Sequence, residues 1–190
     1  MLTVDFEHDE VAITVPYKAV SDEVRQNRGF VDLRGRPDLA ATISEGLNCA
    51  SLQRFLIDLA RPDSCAFSVG CDVGEHREHD AYVSGGYVQL VSERYAKLSP
   101  DDYLEYARRI AELIEHESAQ SSWRLLFVHQ FIVFKLDVSV DLISSLAIWF
   151  YGLANTQIEA DISRGKLIEQ LRRFVPVVFV DTRRSDGPSP

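Results

Sequence analysis

The sequence predicts an α+β fold, in which a mostly antiparallel sheet is packed with several helices. Strand-like segments lie near both ends of the chain and in its middle, with helical segments between them. There is no regular alternation of strands and helices, so a parallel α/β sheet is not indicated. The 190 residues are 46% hydrophobic and 26% charged, as in ordinary globular proteins. We expect one domain over residues 1–182 and a flexible tail over 183–190.

The N-terminal segment predicts a β-hairpin. Apolar residues alternate with polar ones over residues 2–6 and again over 11–15, and the polar sequence EHDE separates the two runs. A period of two is typical of a strand with one buried face. A long connection follows, with arginines among carboxylates, at Arg25, Arg28, Arg34 and Arg36. We interpret it as a solvated loop of mixed charge, with an anion clamp as the alternative.

A helix and a second hairpin are predicted next. Asn48 is a suitable N-cap for an apolar helical stripe that ends before Pro62. Residues 65–74 and 81–92 then have the composition of two strands, and we expect them to form a central hairpin.

Two cysteines of this hairpin raise the question of a metal site. In a regular strand Cys65 and Cys71 lie on one apolar face, together with Phe67, Val69 and Val73. Six residues of strand separate the two thiols by about 20 Å, too far for a shared zinc ion or a disulfide. We therefore expect both to be core residues.

The clearest helix signal follows Leu98. Ser99 is placed as its N-cap, Pro100 as its first residue, and acidic residues occupy its first turn. Residues 123–140 are apolar on almost every side. A central strand is favoured for part of this segment, but a buried helix is almost equally compatible with it.

The C-terminal third is predicted to contain two helices and a strand. Residues 142–153 and 163–174 carry apolar residues at helical spacing. The sequence VPVVFVD is rich in β-branched residues and predicts a C-terminal strand. Because Pro176 lacks an N–H group, we expect this strand at the edge of the sheet.

Charge and composition limit the classes of partner. The formal net charge of −9 disfavours binding to nucleic acid or to anionic membranes and suits a basic protein partner. The longest clean apolar stretch, residues 142–154, is too short to cross a membrane. The N-terminus lacks the basic and apolar regions of a signal peptide, and the three cysteines are consistent with a reducing compartment. We expect a cytoplasmic protein.

The candidate binding residues are clustered in two acidic stretches. They are Asp9, Glu10, Glu75, His76, Glu78, His79 and Asp80. An acidic, histidine-bearing loop between strands is typical of a contact surface. The alternative is a metal-assisted hydrolase that uses Asp72 with His76, His79 and Asp80. His129 stands alone in an apolar segment, either as a core histidine or as a buried base, and Asp181 ends the predicted last strand.

No nucleotide-binding, serine-hydrolase or zincin motif occurs in the sequence. We therefore expect a non-enzymatic cytoplasmic protein-binding domain, comparable to an immunity protein or an inhibitor of a basic protein. We expect it to need no cofactor or metal. The hydrolase described above is the alternative.

Overall fold

A computed structural model describes residues 2–21, 26–93, 98–117, 122–135 and 141–181. The described strands are β1 (Leu2–Val15), β2 (Val20–Ser21), β3 (Gln26–Asn27), β4 (Ala66–Glu78), β5 (Ala81–Ser92), β6 (Trp123–Phe134) and β7 (Asp141–Ala154). The described helices are α1 (Pro37–Ala40), α2 (Ser44–Leu47), α3 (Ala50–Leu59), α4 (Pro100–Glu117) and α5 (Gln157–Asp181). None of these helices is long and apolar enough to cross a membrane.

One mixed sheet organises the fold. Its strands lie in the order β1-β6-β7-β5-β4, and β2 and β3 form a separate two-stranded ladder. All neighbours in the large sheet are antiparallel, except that β1 runs parallel to β6. This sheet and its packed helices confirm the predicted α+β class. Strands β4 and β5 form the predicted central hairpin.

Helices α3, α4 and α5 cover one face of the sheet, which we call the helix-covered face. It receives alternate side chains of each strand, such as Phe127, Ile148 and Val88, which are aligned across three neighbouring strands. Helix α5 lies directly on β7 at Gly152, where an added Cβ would be 2.3 Å from the backbone nitrogen of Arg164. The absence of a side chain at Gly152 therefore permits this close packing.

The predicted N-terminal hairpin is wrong. Residues 2–15 form the single strand β1, which pairs with β6 along its length and has a register shift between Asp9 and Ile13. The EHDE sequence lies within this strand and does not form a turn. An edge strand has one free side and can carry consecutive charged residues, so the polar break was not a chain reversal.

The helix predicted over 142–153 is also wrong, because these residues belong to strand β7. Leu146, Ile148 and Phe150 face the helices, whereas Ala147 and Trp149 face the other side. Since β7 is central in the sheet, it carries apolar residues on both faces. The resulting apolar run lacks the alternation that would distinguish a strand from a helix in the sequence. The strand favoured for residues 123–140 is present over 123–134, and 136–140 lie outside the described residues.

The C-terminal edge strand is wrong as well. VPVVFVD continues helix α5, which begins at Gln157, before the predicted start, and includes Pro176. Val175, Val178 and Phe179 extend the buried side of this helix into the core. Core packing thus outweighs the strand preference of the valines. Asp181 ends a helix, and the predicted tail over 183–190 lies outside the described residues.

Helix caps explain two further boundaries. The Ser99 hydroxyl accepts a hydrogen bond from the Asp102 amide at 3.3 Å, and the Ser99 amide donates to Asp102 Oδ2 at 2.7 Å. This reciprocal cap confirms the predicted start of α4. Asn48 is not the N-cap of α3, which Cys49 occupies without a side-chain hydrogen bond; Asn48 follows the end of α2.

A β-bulge changes the prediction for the cysteines. The register of β4 against β5 shifts between Ser68 and Gly70, which turns the following residues over. Cys65 and Cys71 contact the helix-covered core, whereas Phe67 and Val69 contact a second cluster on the opposite face. The expected shared face is therefore wrong, although Cys65 is buried as predicted, and no disulfide joins any of the three cysteines, all of which are described.

Candidate functional site

The face of the sheet opposite the helices, which we call the open face, presents a row of side chains across all five strands. In register order from β1 to β4 the row is Asp5, Leu126, Trp149, Tyr87 and Asp72. We call these residues the cross-sheet row. A carboxylate lies at each end, and an aliphatic and two aromatic side chains lie between them.

The centre of the row is packed but accessible. The rings of Trp149 and Tyr87 have centroids 4.7 Å apart, and Leu126, Trp149 and Tyr87 are all partly exposed. The connection after β1 covers a different end of the open face, where Tyr17 and Phe30 pack against the second hydrophobic cluster. Accessible aromatic and aliphatic side chains therefore form a continuous patch beside this cover.

The positions on either side of the cross-sheet row also combine charged side chains with aliphatic or aromatic ones. Glu7 of β1 is aligned with Val128 of β6, one step along the sheet from the row. On the other side, Arg124 forms an ion pair with Glu78 at 3.2 Å, and its guanidinium lies 5.9 Å from the centroid of the Tyr151 ring. This ion pair links β4 to β6 across the open face. It also places one cation, the Arg124 guanidinium, beside an aromatic ring of that face.

The predicted acidic loop is mostly strand. Strand β4 continues to Glu78, and only His79 and Asp80 form the turn before β5. His79 has φ 55°, a conformation that a two-residue hairpin turn requires. His76 lies on the same face of β4 as Asp72, the residue that this strand contributes to the cross-sheet row, whereas Glu75 has the opposite parity and faces the helix side.

The two predicted acidic stretches are not brought together. Asp9 and Glu10 lie on β1, and Glu75 to Asp80 lie at the β4 end, so the stretches occupy opposite edges of the sheet. Asp9 is held by Gln130, whose side-chain nitrogen donates to Asp9 Oδ2 at 2.8 Å. Both edges nevertheless border the same open face. The sequence pointed to these acidic residues and not to Leu126, Trp149 and Tyr87, and a binding role for the acidic residues stays a prediction.

The alternative metal site is not assembled in the described residues, which include all of 72–80. Among them, no group of three His, Cys, Asp or Glu side chains lies close enough to hold a metal ion. Asp72 and His76 lie along the strand, and His79 and Asp80 lie in the turn.

The arginine-bearing connection is largely neutralised where it is described. Arg34 pairs with Asp32 at 3.0 Å, and Arg36 pairs with Asp38 at 3.3 Å. The Arg34 guanidinium also lies over Phe67, 5.3 Å from the ring centroid. These contacts agree with a loop of mixed charge, and Arg25 lies outside the described residues.

A cavity of about 450 Å³ lies beside β4, next to the cross-sheet row. Tyr87 and Asp72 belong to both the row and the cavity wall. Apolar side chains of the connection and of the segment around α1 and α2 complete the wall, namely Phe30, Val31, Leu33, Leu39 and Ile43. The volume is that of a small-molecule site.

The thiol and phenol groups of this cavity favour their neutral forms. Burial, followed by the charges of Glu45 and Asp72, raises the pKa of the Cys71 thiol to about 12. Burial, with contributions from Cys71 and Glu45, also raises the pKa of Tyr17, and burial raises that of Tyr87. A thiol with this pKa is not a nucleophile near neutral pH. Cys71 therefore contributes an uncharged, unreactive thiol to the cavity wall.

His129 has a partner that the sequence did not indicate. Its Nδ1 lies 2.7 Å from Nδ1 of His8, and the two rings are stacked with centroids 4.9 Å apart. Burial, followed by the charge of His8, lowers the pKa of His129. Its Nε2 is buried without a hydrogen-bond partner in the described part of the chain. The contact joins β1 to β6 and favours the core-histidine interpretation.

The fold and the site define an α+β domain with one sheet face left partly uncovered. Comparisons with protein-family models, with curated proteins and with solved structures give no match for this chain.

Proposed function

We propose that this chain is a protein-binding domain and that a basic protein binds its open face. The observation that supports this proposal is the cross-sheet row, in which partly exposed Leu126, Trp149 and Tyr87 lie between the carboxylates Asp5 and Asp72. Protein interfaces commonly have such an arrangement, with an apolar, aromatic centre and a polar rim. Trp and Tyr are also the residue types that most often dominate binding energy.

Charge favours a basic partner. The net charge is −9, and the strand edges at both sides of the open face carry exposed carboxylates, including Glu7 and Glu10 on β1. Complementary charge accelerates encounter and selects among partners, whereas the apolar centre supplies most of the affinity. An immunity protein or inhibitor of a basic enzyme is a narrower form of this proposal. The net charge is its main support.

Affinity capture with matched variants tests the proposal. The immobilised chain is incubated with native lysate at moderate salt, and retained proteins are identified by mass spectrometry. The double variant Asp5→Asn, Asp72→Asn removes both carboxylates of the row, and Trp149→Ser removes its central ring. The control Glu105→Gln, Glu112→Gln removes two carboxylates from the exposed side of α4.

We expect the wild type and the control to retain the same basic protein, and both row variants to lose most of it. Raising the salt concentration should also release it, because exposed charges are screened. Thermal unfolding of each variant shows whether the fold is kept. The proposal is refuted if no basic protein is retained by the wild type, or if the folded row variants retain it as well as the control does.

A further inference from the structure

The cavity beside β4 has an electrostatic character that the interface proposal does not use. Two carboxylates line it, those of Glu45 and Asp72. The guanidinium of Arg28 also lines it; Arg28 and Asp72 are both exposed, whereas Glu45 is half-buried. The Cys71 thiol and the nearby phenols are uncharged near neutral pH. With two carboxylates against one guanidinium, the lining of the cavity carries a net negative charge.

The phenol groups of the cavity converge on one point. A Cβ placed on Gly70 would lie 3.5 Å from the hydroxyl oxygen of Tyr17 and 3.5 Å from that of Tyr87. The ring of Phe30 stands edge-on to that of Tyr17, with centroids 6.0 Å apart. Three aromatic rings and two hydroxyl acceptors thus lie around one space, which Gly70 keeps free of a side chain.

We propose that this cavity binds an alkylammonium group. Phenol oxygens and carboxylates accept the hydrogen bonds of an ammonium ion, and aromatic faces attract cations. The aliphatic wall formed by residues such as Leu39 and Ile43 fits the hydrocarbon stem of such a ligand. A free aliphatic amine and the side chain of a lysine in a polypeptide both supply this chemistry.

The inference stands apart from the proposed function, because a free amine can fill the cavity without any protein partner. Binding is measured on the ¹⁵N-labelled full chain by titration with n-butylammonium chloride at neutral pH. n-Butanol is the uncharged control of the same length, and Nα-acetyl-lysine methylamide represents a peptide side chain. The amide signals of Gly70 and Cys71 report on the cavity, and those of α4 serve as a remote reference.

We expect butylammonium to shift the cavity signals in a saturable way, while butanol leaves them unchanged at the same concentrations. Glu45→Gln should weaken binding about tenfold, the typical effect of removing one charge-assisted hydrogen bond. Gly70→Ala should weaken it also, because the new methyl group occupies the space between the phenols at ordinary contact distance. The control Glu112→Gln, on the exposed side of α4, should bind as the wild type does.

The two sources of the ligand are separated by the same titrations. Saturable binding of butylammonium supports a site that accepts a free amine, whereas binding of the lysine derivative alone supports a site for a polypeptide side chain. If neither cation shifts the cavity signals, the proposal is overturned. It is equally overturned if butanol binds as well as butylammonium, or if folded Glu45→Gln binds as tightly as the control.

Discussion

Substitution of Gly152 by alanine tests the packing that leaves only one face of the sheet open. A Cβ at this position would lie 2.3 Å from the Arg164 backbone nitrogen and 2.6 Å from the Ala160 carbonyl oxygen. Ordinary contacts of a Cβ begin at 3.4 Å. Both obstructing groups are backbone atoms of α5, so they cannot rotate away. The helix would have to move from β7 by about 1 Å, which disturbs a close-packed core.

Overpacking of a core costs about 1–3 kcal/mol. Because the obstruction in this case is the backbone of a long helix, we expect Gly152→Ala to lower the free energy of unfolding by about 3 kcal/mol. For a chain of this length that corresponds to a fall in Tm of about 6–12 °C. Urea denaturation monitored by circular dichroism measures the free energy, and differential scanning calorimetry measures Tm.

Gly74→Ala is the matched control. Gly74 also lies in a strand of the sheet, but an added Cβ there has no atom within 4 Å. Replacement of such a glycine should leave stability unchanged or raise it by about 0.5–1 kcal/mol, because the unfolded chain loses freedom. If Gly152→Ala and Gly74→Ala unfold at the same urea concentration, the direct contact between α5 and β7 is refuted.

Two further predictions follow from titratable groups. Because the pKa of His129 is lowered, the imidazole of the unfolded chain takes up a proton at a higher pH than that of the folded chain. The contribution of neutral His129 to stability should therefore be complete above pH ~6.5 and decline below it. Urea unfolding at pH 7.5 and 5.5 measures the decline, which should be smaller in His129→Phe, and an equal decline in both proteins contradicts the interpretation. Because the pKa of Cys71 is about 12, iodoacetamide at pH 8 should label this thiol far more slowly in the native chain than in urea. Mass spectrometry of the labelled peptides measures both rates, and equal rates would show that the thiol is not protected.

The sequence predicts elements well where local signals decide them. The cap formed by Ser99 and Asp102 identifies the start of α4, and the composition of 81–92 identifies a strand. These features depend on neighbours along the chain. The α+β class follows from the sum of such segments.

Three elements were predicted wrongly because distant contacts decide them. EHDE continues as strand since β6 pairs with it, and residues 142–153 form a strand since β5 and β6 enclose them. VPVVFVD is helical because Val175, Val178 and Phe179 extend the buried face of α5. The local pattern of each segment is compatible with more than one structure.

The candidate site shows the same division. The predicted acidic residues are visible in the sequence as charge clusters, and their role in binding stays a prediction. The row of Leu126, Trp149 and Tyr87 depends on the register between three strands, which separated segments of sequence do not reveal. The bulge near Gly70, which brings Cys71 to the cavity wall, likewise has no clear sequence signal.

Carbodiimide labelling of carboxylates, compared between the free chain and its co-purified complex, tests the protein-binding surface most directly. We expect labelling of Asp5, Glu7 and Asp72 to fall strongly in the complex, because these residues border the open face. Glu105 and Glu112, on the exposed side of α4, should be labelled to the same extent in both samples. Protection of the α4 carboxylates with unchanged labelling at Asp5 and Asp72 would contradict the proposal that the open face binds the partner.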